Sequence, residues 1–251
     1  MSEPTSIPAE LIARLRQARR VAVLTGAGIS AESGVPTFRQ AQTGLWARYD
    51  PQQLATPQAF RRQPQLVWDW YAWRRGLVAG VEPNPGHFAL AELERRVPQF
   101  TLITQNVDSL HQRAGSRAVL ELHGNISRTT CSREGRVVEA WPESDERPPR
   151  CPHCGAFLRP DVVWFGEALP AEVLEAAIAA TRTADVFLTI GTSGLVHPAA
   201  SLPLLAARQG AVTVEVNPEE TPLSEEMTYC LRGPSGVLLP ALVAAVWPDK
   251  E

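Results

Sequence analysis

A histidine at the end of a short apolar run is the first residue in this chain whose position suggests chemistry. His123 follows Leu120-Glu121-Leu122, and Gly124 comes directly after it. A strand with this sequence would place the imidazole at a sheet edge, where the glycine lets a ligand come close. An unperturbed imidazole has a pKa of about 6.5, so its charge changes near physiological pH. On its own, a histidine at a strand end is more often an ordinary polar residue.

Polar side chains also follow the predicted strand that precedes this one. The run 100–104 is apolar and typical of a buried strand, and Gln105, Asn106 and Asp108 come directly after it. Because ligands of open parallel sheets bind at the carboxyl ends of the strands, these side chains and His123 are expected at one edge.

A glycine loop after the first predicted strand indicates a phosphate-binding turn. The unbroken apolar run 21–25 leads directly into Gly26-Ala27-Gly28, which is followed by a predicted helix start. This order brings backbone N–H groups onto a pyrophosphate, although a plain glycine-rich turn would have the same sequence. A dehydrogenase would carry an acidic residue at the end of a second strand about 20 residues on. Residues 34–57 are instead punctuated by proline and glycine, so the pocket is Rossmann-like but not dehydrogenase-like.

The remaining periodic segments complete an α/β pattern. A second glycine and hydroxyl loop, Gly191-Thr192-Ser193, follows one late strand, and Asn217 follows the next. Strands are predicted over 21–25, 100–104, 118–122, 185–190 and 211–216, and helices over 9–20, 64–80, 87–97, 109–114, 171–183, 198–209 and 236–246.

We therefore predict a Rossmann-like parallel sheet with helices on both faces and a smaller inserted domain. The Rossmann-like domain comprises residues 1–33, 81–123 and 161–251. Residues 34–80 form a cofactor loop and helical module, and residues 124–160 form a zinc-ribbon-like module.

Two segments of the first inserted module carry groups that could bind a ligand. The loop 34–48 contains Phe38, Arg39 and Trp46, and such a loop can close over a bound phosphate or simply pack on the surface. Tyr71 and Arg74 are three residues apart on the helix predicted over 64–80, so they share a face. An arginine beside a phenol suits a carboxylate, but these residue types alone favour a core tyrosine and a solvated arginine.

The cysteines cluster in the second inserted module. Cys151-Pro152-His153-Cys154 is a zinc-knuckle turn, and Cys131 precedes it. Glu134 stands where a second cysteine of the first turn would be expected. Two interpretations remain open: a zinc site with three thiolates and a possible carboxylate, and a turn that holds no metal.

Composition limits the partners of the protein. The 251 residues include 24 Lys plus Arg and 27 Asp plus Glu, a net charge of −3. We expect neither nucleic-acid nor membrane binding, because there is no basic excess and no long apolar run. The first residues lack the pattern of a signal peptide, so the expected location is cytoplasmic. In that compartment the four cysteines are expected to be thiols or metal ligands.

These motifs, taken together and in this order, resemble the sirtuins, which are NAD-dependent protein lysine deacylases. The resemblance rests on the segments 26–39, 104–111, 123–124, 162–167 and 191–193 and on Asn217. It spans nearly the whole chain. It extends to the bacterial and mitochondrial desuccinylase branch through the pair Tyr71 and Arg74.

The resemblance implies a role for many residues. It makes His123 and Asn106 catalytic. The implied cofactor-binding residues are Gly26, Ala27, Gly28, Glu32, Thr37, Phe38, Arg39, Trp46, Gln105, Asn106, Asp108, Gly191, Thr192, Ser193, Asn217 and Ser235. The implied substrate-binding residues are Tyr71, Arg74, Val163, Phe165, Gly166, Glu167 and Val196. Zinc in this family is structural, and its expected ligands here are Cys131, Cys151 and Cys154, with Glu134 as a possible fourth.

The resemblance also implies the reaction and its partners. The expected substrates are acyl-lysine proteins or peptides, from which a monomeric enzyme removes acetyl and also succinyl or malonyl groups. The acyl-lysine would lie as an added strand, and the products would be free lysine, nicotinamide and O-acyl-ADP-ribose. The alternative activity is mono-ADP-ribosylation of proteins. A non-enzymatic adaptor and an ordinary dehydrogenase fit the residues less well.

Overall fold

A six-stranded parallel sheet forms the centre of the computed structural model, which describes residues 7–37 and 49–248. Its strands are β1 (Arg20–Thr25), β2 (Gln99–Thr104), β3 (Val119–Glu121), β6 (Val186–Ile190), β7 (Val212–Asn217) and β8 (Tyr229–Arg232). Their order across the sheet is β3-β2-β1-β6-β7-β8. All five neighbouring pairs are parallel. The order reverses between β1 and β6, so the predicted Rossmann-like sheet is confirmed.

Helices cover both faces of this sheet because its central strands are apolar on both sides. Val21 and Val23 of β1 face one core, and Ala22 and Leu24 face the other. The first core is completed by α1 (Ala9–Gln17), α6 (Pro85–Arg96) and α10 (Ser235–Val246), and the second by α8 (Ala171–Thr183) and α9 (Leu202–Arg208). This alternation along one strand requires a helix layer on each side.

Short and long helices lie between the strands. They are α2 (Ala27–Ala31), α3 (Pro51–Leu54), α4 (Pro57–Arg62), α5 (Pro64–Ala79) and α7 (Leu110–Arg113), with 3₁₀ turns at Ala199–Ser201 and Ser224–Glu226. The helix predicted over 87–97 is α6, which begins two residues earlier: Asn84 is the N-cap, and its side chain accepts a hydrogen bond from the Gly86 N–H.

A second, two-stranded antiparallel sheet forms the small-sheet module, residues 124–162. Its strands are β4 (Gly124–Cys131) and β5 (Leu158–Val162), which pair from Gly124 opposite Val162. The predicted limit of this module at residue 160 falls inside β5, whose last residue, Val162, still pairs with β4.

Strand β8 was also not predicted. It is short, at the edge of the sheet, and pairs with β7 through Val214 opposite Tyr229.

Of the helices that the structure describes, none is both long and apolar enough to cross a membrane.

Candidate functional site

Two glycine loops interlock where the order of the strands reverses. Gly26 and Gly28 follow β1, Gly191 follows β6, and the Gly28 N–H donates to the Gly191 carbonyl oxygen at 2.7 Å. A Cβ on Gly28 would lie 2.7 Å from the Cα of Gly191, and a Cβ on Gly191 would lie 2.5 Å from the backbone N of Ile29. Gly191 also has a φ of 58°. Only glycine fits at these positions, because the backbone of each loop fills the space that a Cβ of the other would need.

The two polar side chains after β2 are tied to these loops. The Gln105 side-chain amide donates to Thr192 Oγ1 at 3.1 Å. The Asn106 side-chain amide donates to the Gly26 carbonyl and to Ser30 Oγ, both at 3.0 Å. Both N–H groups of Asn106 are therefore used, and its amide oxygen remains able to accept a hydrogen bond from a ligand hydroxyl or a water.

The protonation of His123 follows from its backbone partner. Its Nδ1 lies 2.9 Å from the carbonyl oxygen of Gln105. A carbonyl only accepts, so Nδ1 carries the proton and Nε2 of the neutral ring has a lone pair. Burial lowers the pKa of His123, and the hydrogen bond to Gln105 partly opposes that shift. The imidazole is therefore neutral at physiological pH and presents a base at the carboxyl edge.

Asp108 is buried on the same edge. Its carboxylate accepts a hydrogen bond from the Leu110 N–H at 3.0 Å. Burial raises the pKa of Asp108, and hydrogen bonds from Leu110 and Ser30 oppose the shift. The predicted site residues Gln105, Asn106 and Asp108 thus all lie in the turn that follows β2.

A buried polar network beneath this edge was not predicted. Thr25 Oγ1 donates to Thr104 Oγ1 at 2.8 Å and lies 2.9 Å from His111 Nε2. The rings of His87 and His111 are 4.9 Å apart, and Ser30 Oγ lies 3.5 Å from His87 Nε2. The sequence signal was a threonine as the last residue of two buried apolar strands, where a polar side chain needs a partner.

Other residues predicted to bind the cofactor are connected by hydrogen bonds near the ends of β6 and β7. The Asn217 side-chain amide donates to the Thr192 carbonyl at 2.9 Å, and Ser193 is half-buried in the same loop. Glu32 and Ser235, both predicted to bind the cofactor, bind each other: the Ser235 hydroxyl donates to a Glu32 carboxylate oxygen at 2.5 Å. The Gly236 N–H in the first turn of α10 donates to the same carboxylate at 3.1 Å. Thr37 ends the first described segment, whereas Phe38, Arg39 and Trp46 lie outside the described residues.

Tyr71 and Arg74 lie one turn apart on α5; Tyr71 is a core residue, as its type alone favoured, whereas Arg74 is half-buried and is not the solvated arginine expected from its type. Tyr71 is 3% exposed and its hydroxyl accepts a hydrogen bond from the indole N–H of Trp164 at 3.1 Å. Burial raises the pKa of Tyr71 to about 12, and the Arg74 charge opposes that shift. Burial also lowers the pKa of Arg74, whose Cζ lies 5.2 Å from the centroid of the Trp70 ring.

Two loops with exposed apolar side chains complete the predicted substrate site. The Val163 N–H donates to the His123 carbonyl at 2.9 Å, so residues 163–167, the substrate loop, start beside the histidine. Phe165 in this loop is 43% exposed and Val196 is 40% exposed. Gly166 has a φ of 89°. The Glu167 carboxylate pairs with both terminal nitrogens of Arg159, at 2.6 and 2.9 Å, so its visible role is to hold the loop.

The three clustered cysteines and Glu134 come together in the small-sheet module. The sulfurs of Cys131, Cys151 and Cys154 and a Glu134 carboxylate oxygen all lie within 4.8 Å of one another. Ligands of a tetrahedral zinc ion are about 3.8 Å apart, so this group fits zinc. Burial opposes ionisation of Cys131, but backbone N–H groups of Glu134 and Arg133 outweigh it and lower the pKa of this thiol.

Comparisons with known proteins agree with this geometry. The model of the Sir2 family matches residues 26–198. The chain is 52% identical over 242 residues to NAD-dependent protein deacylase 1 of Pseudomonas aeruginosa, covering 93% of this chain and 97% of the relative. A crystal structure of a Sir2 homolog–NAD complex superposes with a TM-score of 0.90 at 46% identity, covering 98% of this chain and 96% of the other. For Sir2 bound to acetylated peptide the TM-score is 0.82 at 32% identity, with coverages of 93% and 95%.

The fold and site define a dinucleotide-binding α/β protein with a base at its sheet edge. The chain belongs to the Sir2 family.

Proposed function

We propose that this protein is an NAD-dependent protein lysine deacylase. The observation that carries the proposal is His123, whose Nδ1 is fixed on the Gln105 carbonyl so that Nε2 is the basic atom. This base lies at the carboxyl edge beside two interlocked glycine loops. A relative named as an NAD-dependent protein deacylase and Sir2 structures with NAD and with acetylated peptide support the same reading.

The residues at the strand reversal fit NAD. Gly26, Ala27 and Gly28 would hold the pyrophosphate region, and the loop from Gly191 with Asn217 would face the adenosine. The two interlocked glycine loops at the carboxyl ends of β1 and β6 support this assignment, because dinucleotide phosphates bind at glycine loops that follow parallel strands. When bound, NAD would supply the ribose carbon that the acyl oxygen attacks and from which nicotinamide leaves; with one water consumed, the overall products would be free lysine, nicotinamide and O-acyl-ADP-ribose.

Three side chains of the chain itself would manage the proton and the orientation. His123 Nε2 would accept a proton from a ribose hydroxyl, since its tautomer is set by Gln105. The Asn106 amide oxygen would orient a hydroxyl or a water, because both its N–H groups are engaged. Asp108 would add a buried carboxyl beside them.

The acyl group would be selected by the pocket floor, defined as Tyr71 and Arg74. At neutral pH the phenol is protonated and the guanidinium is charged, so both groups are hydrogen-bond donors. A pair of donors favours an acyl chain that ends in a carboxylate, and we therefore propose succinyl- and malonyl-lysine as substrates beside acetyl-lysine. The peptide would lie between the substrate loop and Val196 as an added strand.

Zinc would be held by Cys131, Cys151, Cys154 and Glu134. Its role would be structural: it would join the turn after β4 to the turn before β5. No proton transfer or acyl selection is assigned to it.

A panel of acyl-peptides tests the proposal. Acetyl-, succinyl- and malonyl-lysine peptides of one sequence are each incubated with NAD, and nicotinamide and deacylated peptide are quantified by mass spectrometry. Nicotinamide release is expected only with acyl-peptide and in equal amounts with free lysine. His123→Ala is expected to reduce it about 10²- to 10⁴-fold while the protein stays folded. ADP-ribose attached to a protein without deacylation would instead support the transferase alternative, which the comparisons do not favour.

A further inference from the structure

Trp164 lies at the meeting point of the pocket floor and the substrate loop. It is 2% exposed, and its indole N–H donates to the Tyr71 hydroxyl at 3.1 Å. An indole N–H can only donate, so the Tyr71 oxygen is the acceptor in this bond. The hydroxyl hydrogen of Tyr71 must therefore point away from the indole.

The direction of that hydrogen is further restricted by charge. Arg74 lies one turn away and a guanidinium has no acceptor atoms, so it cannot take the phenolic proton. The negative charge of Glu167 raises the pKa of Tyr71, so this carboxylate is the acceptor to consider for the phenolic proton. It is already engaged by Arg159 and by the Trp164 backbone N–H, which donates to it at 2.8 Å. The hydroxyl of Tyr71 is thus set to donate to an acceptor that enters the pocket.

The indole is packed against two rings and a guanidinium. The Phe60 ring centroid lies 5.2 Å from that of the indole at 45°, and the Tyr71 ring centroid lies 6.4 Å from it at 35°. Arg159 Cζ lies 3.3 Å from the centroid of the Trp164 ring. Because Arg159 is also paired with Glu167, the indole packs against the ion pair that holds the substrate loop.

We propose that Trp164 is a positioning residue for acyl selection: its indole N–H orients the Tyr71 hydroxyl so that the phenol and Arg74 together receive the carboxylate of an acyl chain. This inference rests on the proposed deacylase function. An acetyl group has no terminal carboxylate, so it gains nothing from the orientation. Trp164 therefore affects the ratio of the two activities.

The test is Trp164→Phe, which keeps an aromatic ring in the cluster and removes the indole donor; its smaller ring also loosens the packing, and the double-variant cycle below controls for that. The specificity constant kcat/KM is measured with a succinyl-lysine and an acetyl-lysine peptide of the same sequence. One neutral hydrogen bond corresponds to about a two- to tenfold fall with the succinyl-peptide, with deacetylation changed much less. Trp247→Phe, which removes an indole donor at the end of α10, is the matched control and is expected to leave the ratio unchanged.

A double-variant cycle separates orientation from loosened packing. In the Tyr71→Phe background there is no hydroxyl to orient, so adding Trp164→Phe is expected to leave the succinyl-to-acetyl ratio unchanged. A further fall in that background, or an equal fall on both substrates, overturns the positioning role while the deacylase function stands. If the wild-type protein releases no nicotinamide with any acyl-peptide, the proposed function fails and the inference fails with it.

Discussion

Two buried histidines beneath the carboxyl edge of the main sheet make the stability of the fold depend on pH. His87 and His111 are 0% and 1% exposed. Burial lowers the pKa of His87 to about 4, and burial together with the neighbouring His87 lowers that of His111 to about 3. Both rings are therefore neutral in the folded protein throughout the physiological range.

The size of this pH effect follows from the difference in proton binding between the folded and unfolded states. A histidine in the unfolded chain binds a proton as the pH falls below about 6.5, whereas His87 and His111 in the folded protein bind one only at a much lower pH. As pH falls through this window, the unfolded state gains protons that the folded state excludes, so the free energy of unfolding decreases. From about pH 7 to about pH 5 the loss is about 2 kcal/mol for each histidine, or about 4 kcal/mol for the pair.

The perturbation that isolates one histidine is His111→Gln. The amide can still donate to Thr25 Oγ1, as His111 Nε2 does, but it does not titrate. Urea unfolding followed by tryptophan fluorescence is measured at about pH 7 and about pH 5. The variant is expected to lose about 2 kcal/mol less than the wild type over this interval.

An exposed histidine provides the control for this experiment. His197 is exposed, and His197→Gln is expected to leave the pH dependence as in the wild type. The reasoning is refuted if the wild type and His111→Gln lose the same stability between the two pH values. Other groups, chiefly carboxylates, also titrate in this window, but they are the same in all three proteins.

Three further predictions concern the site. Because burial lowers the pKa of His123, the acid limb of a kcat/KM profile is expected below pH 6.5, and a limb above that value would contradict its environment. Gly191→Ala is expected to destabilise the protein in urea unfolding by more than Gly210→Ala, since both have positive φ but only Gly191 has backbone within 2.5 Å of the added Cβ. Equal losses would refute this. In a chelator competition, Glu134→Ala is expected to weaken zinc retention, and Glu134→Cys is expected to retain zinc as the wild type does. Glu139→Ala changes an exposed residue of the same module and is expected to have no effect. Equal zinc retention in all of these proteins would exclude Glu134 as a ligand.

The parallel sheet could be predicted because its central strands are continuous apolar runs. Residues 21–25 and 186–190 are buried without exception, so their burial on both faces is visible in the sequence. Strand β8 has only four residues and lies at an edge, where one of its sides meets no partner strand. Strand β4 carries Arg128 and several polar residues, so neither alternation nor a continuous apolar run marks it.

The polar groups at strand ends were predictable, and their partners were not. The carboxyl ends of parallel strands meet at one edge, which placed Gln105, His123 and Gly191 together in advance. The bond between Ser235 and Glu32 joins residues 203 positions apart, and the bond between Trp164 and Tyr71 joins residues 93 positions apart. Such pairs depend on how the finished elements pack, and no local pattern encodes them.

The hydrogen bond from the Val163 N–H to the His123 carbonyl closes the neck of the small-sheet module. The chain leaves the main body at Gly124 and returns at Val162, and these two residues pair directly. The entropy of closing a loop grows only with the logarithm of its length, by about 0.6 kcal/mol for each doubling. Insertions or deletions in exposed parts of the module therefore cost little in closure entropy, while His123 and the substrate loop keep their spacing.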